Sequence, residues 1–267
     1  MFRSVRRAFR FLAAGFGAAL RALTVTLPVA LALATLTAVG DKIVVELVAS
    51  QWPETAGGQG QDGMIYTLLG WVGWSLLLQI FMGPIYHACA VAVAKGAAIG
   101  KPAKLYPALN FALNRYKKMF RPHMLAWLAI AIGIQVIIPG ILYWMMYAFV
   151  DSVAALEEHK DPRARSRMLT AGRRSSIFWM IFPFIVLQAV RMVTDFEFLA
   201  AGLGSWIGYQ TLMALLDFGL ATSFAMFYLA RVAALDRARE KKQLEAAGAP
   251  GVEVAAAPEA APSTPTA

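Results

Sequence analysis

The stretch QVIIPGILYW, residues 135–144, interrupts a long apolar run with a proline followed by a glycine. Such a pair favours a turn, although proline is also tolerated inside helices that cross a membrane. The stretch therefore has two interpretations: a hairpin of two helices, or one long kinked helix. The choice decides whether this part of the chain crosses a bilayer twice or once.

The composition places the chain among membrane proteins. Hydrophobic residues make up 59% of the 267 positions, charged residues only 15%, and the mean hydropathy is +0.57. Soluble domains carry about a quarter charged residues. The sequence thus predicts an all-α, polytopic membrane helical bundle. Its single cysteine, Cys89, excludes an intramolecular disulfide.

Apolar runs of about 20 residues, the length needed to cross roughly 30 Å of hydrocarbon, predict about six transmembrane helices. The predicted spans lie near residues 22–48, 64–94, 123–138, 141–157, 176–194 and 206–231. The basic start and an A-x-A pattern at residues 30–34 raise the alternative of a cleaved signal peptide, but the first apolar run is longer and more broken than a secretory one.

The distribution of basic residues favours the hairpin at residues 135–144. Of the 25 lysines and arginines, 22 fall into four clusters, at residues 1–10, 94–122, 158–176 and 231–242. A hairpin puts all four clusters on one side of the membrane, as the positive-inside rule requires. Both termini are then cytoplasmic. The net charge of +9 reflects these cytoplasmic segments, so no nucleic-acid partner is expected.

Three basic amphipathic segments, near residues 2–16, 104–120 and 161–172, each precede a pair of spans. The pattern is typical of helices lying in the headgroup plane. In the third segment, Asp161 suits an N-cap and Gly172 suits the helix end. We therefore expect three units of surface helix plus hairpin. The candidate lipid headgroup contacts are Arg3, Arg6, Arg7, Arg10, Arg115, Lys117, Lys118, Arg165, Arg173 and Arg174.

The chain is predicted to have one integral membrane domain, residues 1–236, followed by a tail, residues 237–267. The tail is rich in alanine and proline and has no aromatic residue. Such a composition cannot bury enough apolar surface to fold, which predicts a disordered cytoplasmic segment.

Residues 60–180 resemble a bacterial six-span family formed by the membrane domain of some glycerophosphodiester phosphodiesterases and its stand-alone relatives. The resemblance departs from the family pattern just before Arg165 and in the last two spans. It implies a similar architecture rather than a chemistry, because the phosphodiesterase activity belongs to a separate soluble domain that this sequence does not contain. The matching positions are Gly83, Pro84, Gly100, Pro139, Gly140, Glu157, Arg165, Ser166, Leu169, Thr170 and Gly172.

The sequence offers no pattern typical of an enzyme. Its three histidines, His87, His123 and His159, are scattered, without the spacing of a metal site or a carboxylate cluster beside them. No phosphate-binding loop or nucleophile motif is present. Glu157 and Glu158, which precede His159, are typical of a helix leaving the bilayer. A non-enzymatic protein with no metal and no cofactor is therefore expected.

Two acids lie inside predicted spans and form the candidate intramembrane polar site. Asp151 lies 11 residues after Gly140, and Asp217 lies 11 residues after Trp206. At 1.5 Å per residue both lie about 16 Å deep, and they would share a proton if their spans touch. Such acids either donate or accept one interhelical hydrogen bond or mark an ion or substrate path. Their candidate partners within the spans are Gln79, Gln135 and Gln188.

These patterns lead to a primary functional hypothesis and two alternatives. The primary one is a non-enzymatic protein of the bacterial inner membrane, a lipid-associated envelope scaffold or accessory subunit that binds anionic headgroups and a protein partner in the membrane. The first alternative is a transporter or channel that uses Asp151 and Asp217. The second, a membrane enzyme acting on lipid headgroups, lacks any recognisable nucleophile or metal-ligand set.

Overall fold

A computed structural model describes residues 2–51, 61–134, 136–200 and 202–246. Every regular element among these residues is an α-helix. The helices are α1 Phe2–Arg21, α2 Leu23–Gln51, α3 Gln61–Ala98, α4 Leu105–Ile134, α5 Ile138–Tyr147, α6 Val150–Leu156, α7 Pro162–Thr170, α8 Arg174–Ala200 and α9 Leu203–Ala246. The prediction of an all-α protein is thus confirmed for the part of the chain that the structure describes.

Four helical segments within the described ranges are long and apolar enough to cross a membrane. A shorter apolar helix covers Arg174–Leu187. These lengths indicate a membrane protein, whereas the predicted number of six spans is not confirmed. The four segments are Leu23–Gln51, Leu69–Ala98, Ile138–Leu156 and Leu203–Glu245.

The stretch at residues 135–144 forms the bend of a hairpin. Helix α4 ends at Ile134 and α5 begins at Ile138, and the two helices pack against each other. Gly133 and Gly140 allow this approach, because a Cβ added at Gly133 would lie 2.9 Å from the backbone nitrogen of Gly140. The chain therefore reverses direction here, as the hairpin interpretation requires.

Two elements that the sequence separates are one helix in the structure. The predicted surface helix at 104–120 and the predicted span at 123–138 are joined in α4, which passes through Pro122 without ending. Proline removes one backbone hydrogen bond, but a neighbouring helix can hold the segment straight enough to continue. Helix α4 packs along α3, which supplies that support. The predicted boundary near residue 121 is therefore wrong.

The predicted span at 141–157 is broken into α5 and α6, and a serine of α7 satisfies the break. Ser166 donates its hydroxyl hydrogen to the carbonyl of Met146 (2.9 Å) and accepts a hydrogen bond from the backbone nitrogen of Phe149 (3.2 Å). A buried helix end needs such partners for its free backbone groups. Helix α7 is thereby attached to the hairpin, with Asp161 as its N-cap and Gly172 following it at φ 74°. The predicted caps of this helix are confirmed.

Helix α1 packs into the bundle through one face instead of lying only on lipid. Leu12 is buried, and Gly15 lies so close to Ser223 of α9 that a side chain at position 15 would collide with it. Phe16 stacks against Phe184 of α8 with ring centroids 6.3 Å apart. Phe2 stays exposed. The apolar stripe predicted to face the membrane is therefore shared between lipid and protein.

Contacts divide the chain into two units, residues 1–229 and residues 230–267. The first unit contains the helical bundle and all the sites described below. In the second, the helix runs to Ala246, so the predicted disordered tail is wrong over 237–246. This stretch is rich in strong helix formers, and a Lys241–Glu245 pair at 3.8 Å supports it. The remainder of the tail lies outside the described residues.

Candidate functional site

Three helices bring two histidines and an aspartate together inside the bundle. His123 of α4 lies with its Nδ1 2.8 Å from Oδ1 of Asp151, which is on α6. His87 of α3 has its own Nδ1 3.6 Å from the other carboxylate oxygen of Asp151. The ligand atoms of the three side chains all lie within 4.8 Å of one another. We call this group the histidine–aspartate cluster.

The orientation of His123 is held from both sides of its ring. Its Nε2 lies 2.9 Å from the backbone carbonyl of Gln79, which can only accept a hydrogen bond, so Nε2 must carry a hydrogen. The ring lies directly on Gly83 of α3, where a Cβ would collide with it. The His123 side chain is completely buried. Its Nδ1 is therefore aimed permanently at Asp151.

Aromatic rings enclose the cluster. The rings of His87 and His123 lie 5.3 Å apart, Trp127 lies 6.1 Å from His123, and Tyr86 contacts the edge of His87 at 5.6 Å. Such walls exclude much of the water and strengthen electrostatic interactions inside. The ion pairs that the described residues make with Asp151 come from the two histidines. No lysine or arginine is among them.

Asp217 lies in a different environment, the wall of a small cavity. The cavity has a volume of about 90 Å³, enough for several water molecules. Helices α2, α3 and α9 surround it, and both apolar and hydrogen-bonding side chains face it. Its lining residues are Leu33, Ala34, Thr37, Ser75, Leu78, Gln79, Gln210, Met213, Ala214 and Asp217.

Gln79 belongs to both places. Its backbone carbonyl accepts the hydrogen bond from His123, and the residue also lines the cavity that contains Asp217. A single turn of α3 therefore separates the cavity from the histidine–aspartate cluster. Of the three glutamines predicted within spans, Gln79 is the one that the structure places at this junction. Gln135 and the side chain of Gln188 lie outside the described residues.

The expectation that the histidines lie apart from any carboxylate is wrong for two of them. His87 and His123 meet Asp151 because three separate helices cross at one point, although His123 and Asp151 are 28 residues apart. Metal-site patterns rely on short spacings within one element, and they give no signal for such a site. The third, His159, is exposed and bonds to the backbone of Asp161.

The sequence reading also missed a buried acid in α2. Asp41 is only 3% exposed, and it accepts a hydrogen bond of 3.2 Å from the indole nitrogen of Trp206. Its position inside an apolar run, beside Lys42, was the available signal. Because an indole neutralises no charge, this contact orients Asp41 and joins α2 to α9.

The conserved-looking polar end of the hairpin is a structural network around Glu157. Arg165 donates to both carboxylate oxygens of Glu157, at 2.9 and 3.3 Å, and the hydroxyl of Tyr228 donates to it at 2.7 Å. Arg167 donates to the hydroxyl of Tyr147 at 2.6 Å. Bidentate arginine pairs of this kind hold elements in a defined geometry. They attach α7 to the end of α6.

Two acids at this polar end carry perturbed pKa values. The hydrogen bond and the charge of Lys118, 3.0 Å away, lower the pKa of Glu158. The backbone N–H groups of Ala164 and Arg163 lower the pKa of Asp161 by stabilising its charged form. Both groups therefore stay ionised and belong to the helix ends outside the apolar segments.

The predicted lipid contacts differ in how much of them is available. Arg165 is committed to Glu157. The half-buried members are Arg7, Arg115, Arg165 and Arg173. The exposed members are Arg3, Arg6, Arg10, Lys117, Lys118, Arg167's neighbour Arg174 and no others of the predicted set.

Comparison with models of protein families, with characterised proteins and with solved structures finds no match. The resemblance to the membrane domain of glycerophosphodiester phosphodiesterases stays a prediction. What the protein does must therefore be inferred from its own residues.

Proposed function

We propose that the protein moves a small cation through its helical bundle, the transporter or channel that the sequence offers as an alternative to a lipid scaffold. The observation that carries the proposal is the position of Gln79, between the cavity of Asp217 and the cluster of Asp151. Two acids on one bundle, joined by one turn of helix, form a continuous polar route for a positive ion.

The cost of placing these acids in apolar segments supports a role beyond packing. A charged residue at the centre of a membrane helix costs about 2.5–3.5 kcal/mol by insertion measurements, whereas an interhelical hydrogen bond returns only about 0.6 kcal/mol. Asp217 also faces room for water rather than close-packed side chains. Intramembrane acids beside hydrated space are typical of ion pathways.

The proposal includes an orientation in the membrane. Six spans would need α4 and α8 to cross in addition to the four long apolar segments. Both termini would then be cytoplasmic in a bacterial inner membrane, since all four clusters of basic residues fall on that side. The histidine–aspartate cluster would lie near this face, because the six residues from Asp151 to Glu157 rise about 9 Å.

Cysteine accessibility tests whether the cavity is hydrated. In a Cys89→Ala background, Ser75→Cys places a thiol in the cavity wall, and Leu77→Cys places one on the same helix outside it. We expect a water-soluble thiol reagent to modify the first and spare the second in reconstituted vesicles. Equal lack of reaction at both positions would remove the hydrated route.

Flux through reconstituted vesicles tests transport directly. Vesicles containing a cation-sensitive dye are exposed in turn to K⁺, Mg²⁺ and Co²⁺, with protein-free vesicles as the control. We expect at least one cation to enter faster with the protein. Asp217→Asn should slow it about tenfold, the effect of losing roughly 1.4 kcal/mol of attraction to the ion. If no cation enters faster than in the protein-free vesicles, the protein is not a cation transporter.

A specific observation supports anionic lipid binding as a second role. On α1, the exposed Arg3, Arg6 and Arg10 lie opposite the face that packs through Ala8 and Leu12. Each basic residue near an anionic leaflet contributes about 1 kcal/mol. Anionic lipid should therefore raise the thermal stability more than neutral lipid does, and changing the three arginines to glutamine should remove the difference.

A further inference from the structure

We infer that His87, His123 and Asp151 bind a divalent transition-metal ion of the Zn²⁺ type. The inference rests on the proposed function in one respect only: it names the chemical class of the transported cation. The binding site itself stands on geometry, because side chains from α3, α4 and α6 converge with their ligand atoms within 4.8 Å of one another.

The distances fit an ion between the three groups. Ligand atoms around a tetrahedral Zn²⁺, each about 2.0–2.1 Å from the metal, lie about 3.3 Å apart. The two nitrogen-to-carboxylate distances in the cluster are 2.8 Å for His123 and 3.6 Å for His87. These values lie on either side of the required separation. Small side-chain rotations would therefore seat the ion.

The backbone carbonyl of Gln79 prepares His123 as a ligand. Histidines that bind metals usually donate their second ring N–H to a carbonyl or carboxylate, which fixes the tautomer and the ring orientation. The Nε2 of His123 makes this bond to Gln79 at 2.9 Å. Its Nδ1 is thereby left with a lone pair directed at the point where the metal would lie. Gly83 keeps the space for the ring in this position.

The ligand set indicates the class of ion. Two imidazole nitrogens and one carboxylate oxygen suit Zn²⁺, Co²⁺, Mn²⁺ or Fe²⁺. Mg²⁺ and Ca²⁺ prefer oxygen ligands alone, and Cu⁺ prefers sulfur. Three protein ligands also leave a coordination position open for water or for a transfer ligand. A site with an open position can release its ion, as transport requires.

The charge of Asp151 supports the same conclusion. Among the described residues its ion pairs are with the two histidines, and neither a lysine nor an arginine joins them. A carboxylate in such a wall of aromatic rings needs a compensating cation nearby. A bound divalent ion supplies that charge while both histidines stay neutral, which is the state in which they bind metals.

Metal titration of the intact protein tests the inference. The protein is purified in detergent with a tag that contains no histidine, stripped with a chelator, and titrated with Co²⁺ while its visible absorption is recorded. Zn²⁺ is then followed by calorimetry, and Mg²⁺ serves as the control ion. We expect one Co²⁺ or Zn²⁺ per chain and no binding of Mg²⁺. Absence of Co²⁺ and Zn²⁺ binding by the wild-type protein overturns the inference.

Two histidine variants locate the site. His87→Gln removes the ligand with the longer contact, and its melting temperature without metal shows whether it folds. It should weaken binding by more than about 100-fold, since even the outer partners of metal ligands contribute 10–100-fold. His159→Gln, at an exposed histidine, should bind as the wild type does. Equal affinity in a folded His87→Gln variant would overturn the assignment.

The outcome is independent of the flux experiment. Binding of one metal ion without flux leaves the site in place and removes the transport proposal. Flux of K⁺ without metal binding has the opposite meaning. Flux of Co²⁺ that His87→Gln abolishes would support both.

Discussion

Asp151 and Asp217 occupy similar places in the sequence and different places in the bundle. Each lies in an apolar run, 11 residues after the point where its predicted span begins. The structure gives Asp151 two imidazole neighbours, at 2.8 and 3.6 Å, and places Asp217 in the wall of a cavity of about 90 Å³. One carboxylate has close, fixed partners, and the other faces space that water can fill.

The difference shows that an acid within a predicted span has no role that its own sequence context defines. The neighbours on other helices decide whether it is a ligand or part of a water-filled wall. The hypothesis that Asp151 and Asp217 share a proton assumes that each acid is the other's partner. The partners that the structure gives Asp151 are His87 and His123.

The largest expected effect is that of removing His123. His123→Ala leaves Asp151 buried without its 2.8 Å partner, and breaking a buried ion pair in this way costs about 3–5 kcal/mol. Unfolding in detergent should measure that loss. His159→Ala, which removes an exposed histidine, is the matched control and should change stability by less than about 0.5 kcal/mol. Similar effects of the two variants would mean that the cluster does not hold the helices together.

A direct test of the comparison replaces each acid by its amide. Asp151→Asn loses a charged hydrogen-bond acceptor and should cost about 1.5–3 kcal/mol. Asp217→Asn should cost less than about 1 kcal/mol, because the amide can bond to water in the cavity. The two unfolding free energies, measured in one detergent, decide the matter. A cost at Asp217 equal to that at Asp151 would contradict the distinction between them.

A third change tests the support that α3 gives the cluster. Gly83→Ala places a methyl group against the ring of His123, and overpacking of this kind costs about 1–3 kcal/mol. Gly73→Ala on the same helix meets no atom within 4 Å, so it should be neutral or stabilise by up to about 1 kcal/mol. Only Gly83→Ala should also weaken metal binding. If both alanine variants retain full affinity, the orientation of His123 does not depend on this contact.

The smallest expected effect serves as a reference from outside the apolar segments. Asp161→Ala removes the N-cap of α7 and should cost about 1 kcal/mol. Because folding lowers the pKa of Asp161, its contribution is present above the ordinary value of 3.8 and is lost as the pH falls through the folded pKa. The difference between wild type and variant should therefore be constant near neutral pH and shrink below about pH 4. Asp161→Asn, which keeps a capping oxygen, should retain most of the stability at every pH.

Local signals in the sequence predicted the elements that depend on local chemistry. Asp161 and Gly172 define α7 because a side-chain cap and a left-handed glycine act on their own helix. Long apolar runs predicted α2 and α3 for the same reason. Pro122 misled the prediction, because packing against α3 decides whether a helix continues through a proline.

The sequence by itself determined that the chain is helical, apolar enough for a membrane, basic at its polar segments, and marked by acids within its apolar runs. Only the tertiary structure decided that His87, His123 and Asp151 meet, that Gln79 joins this cluster to the cavity of Asp217, and that α7 attaches through Ser166. Helical periodicity repeats every 3.6 residues and is set by the backbone, so a sequence displays it directly. Contacts between helices depend on how each helix is rotated and crossed against its neighbours, and no single segment contains that information.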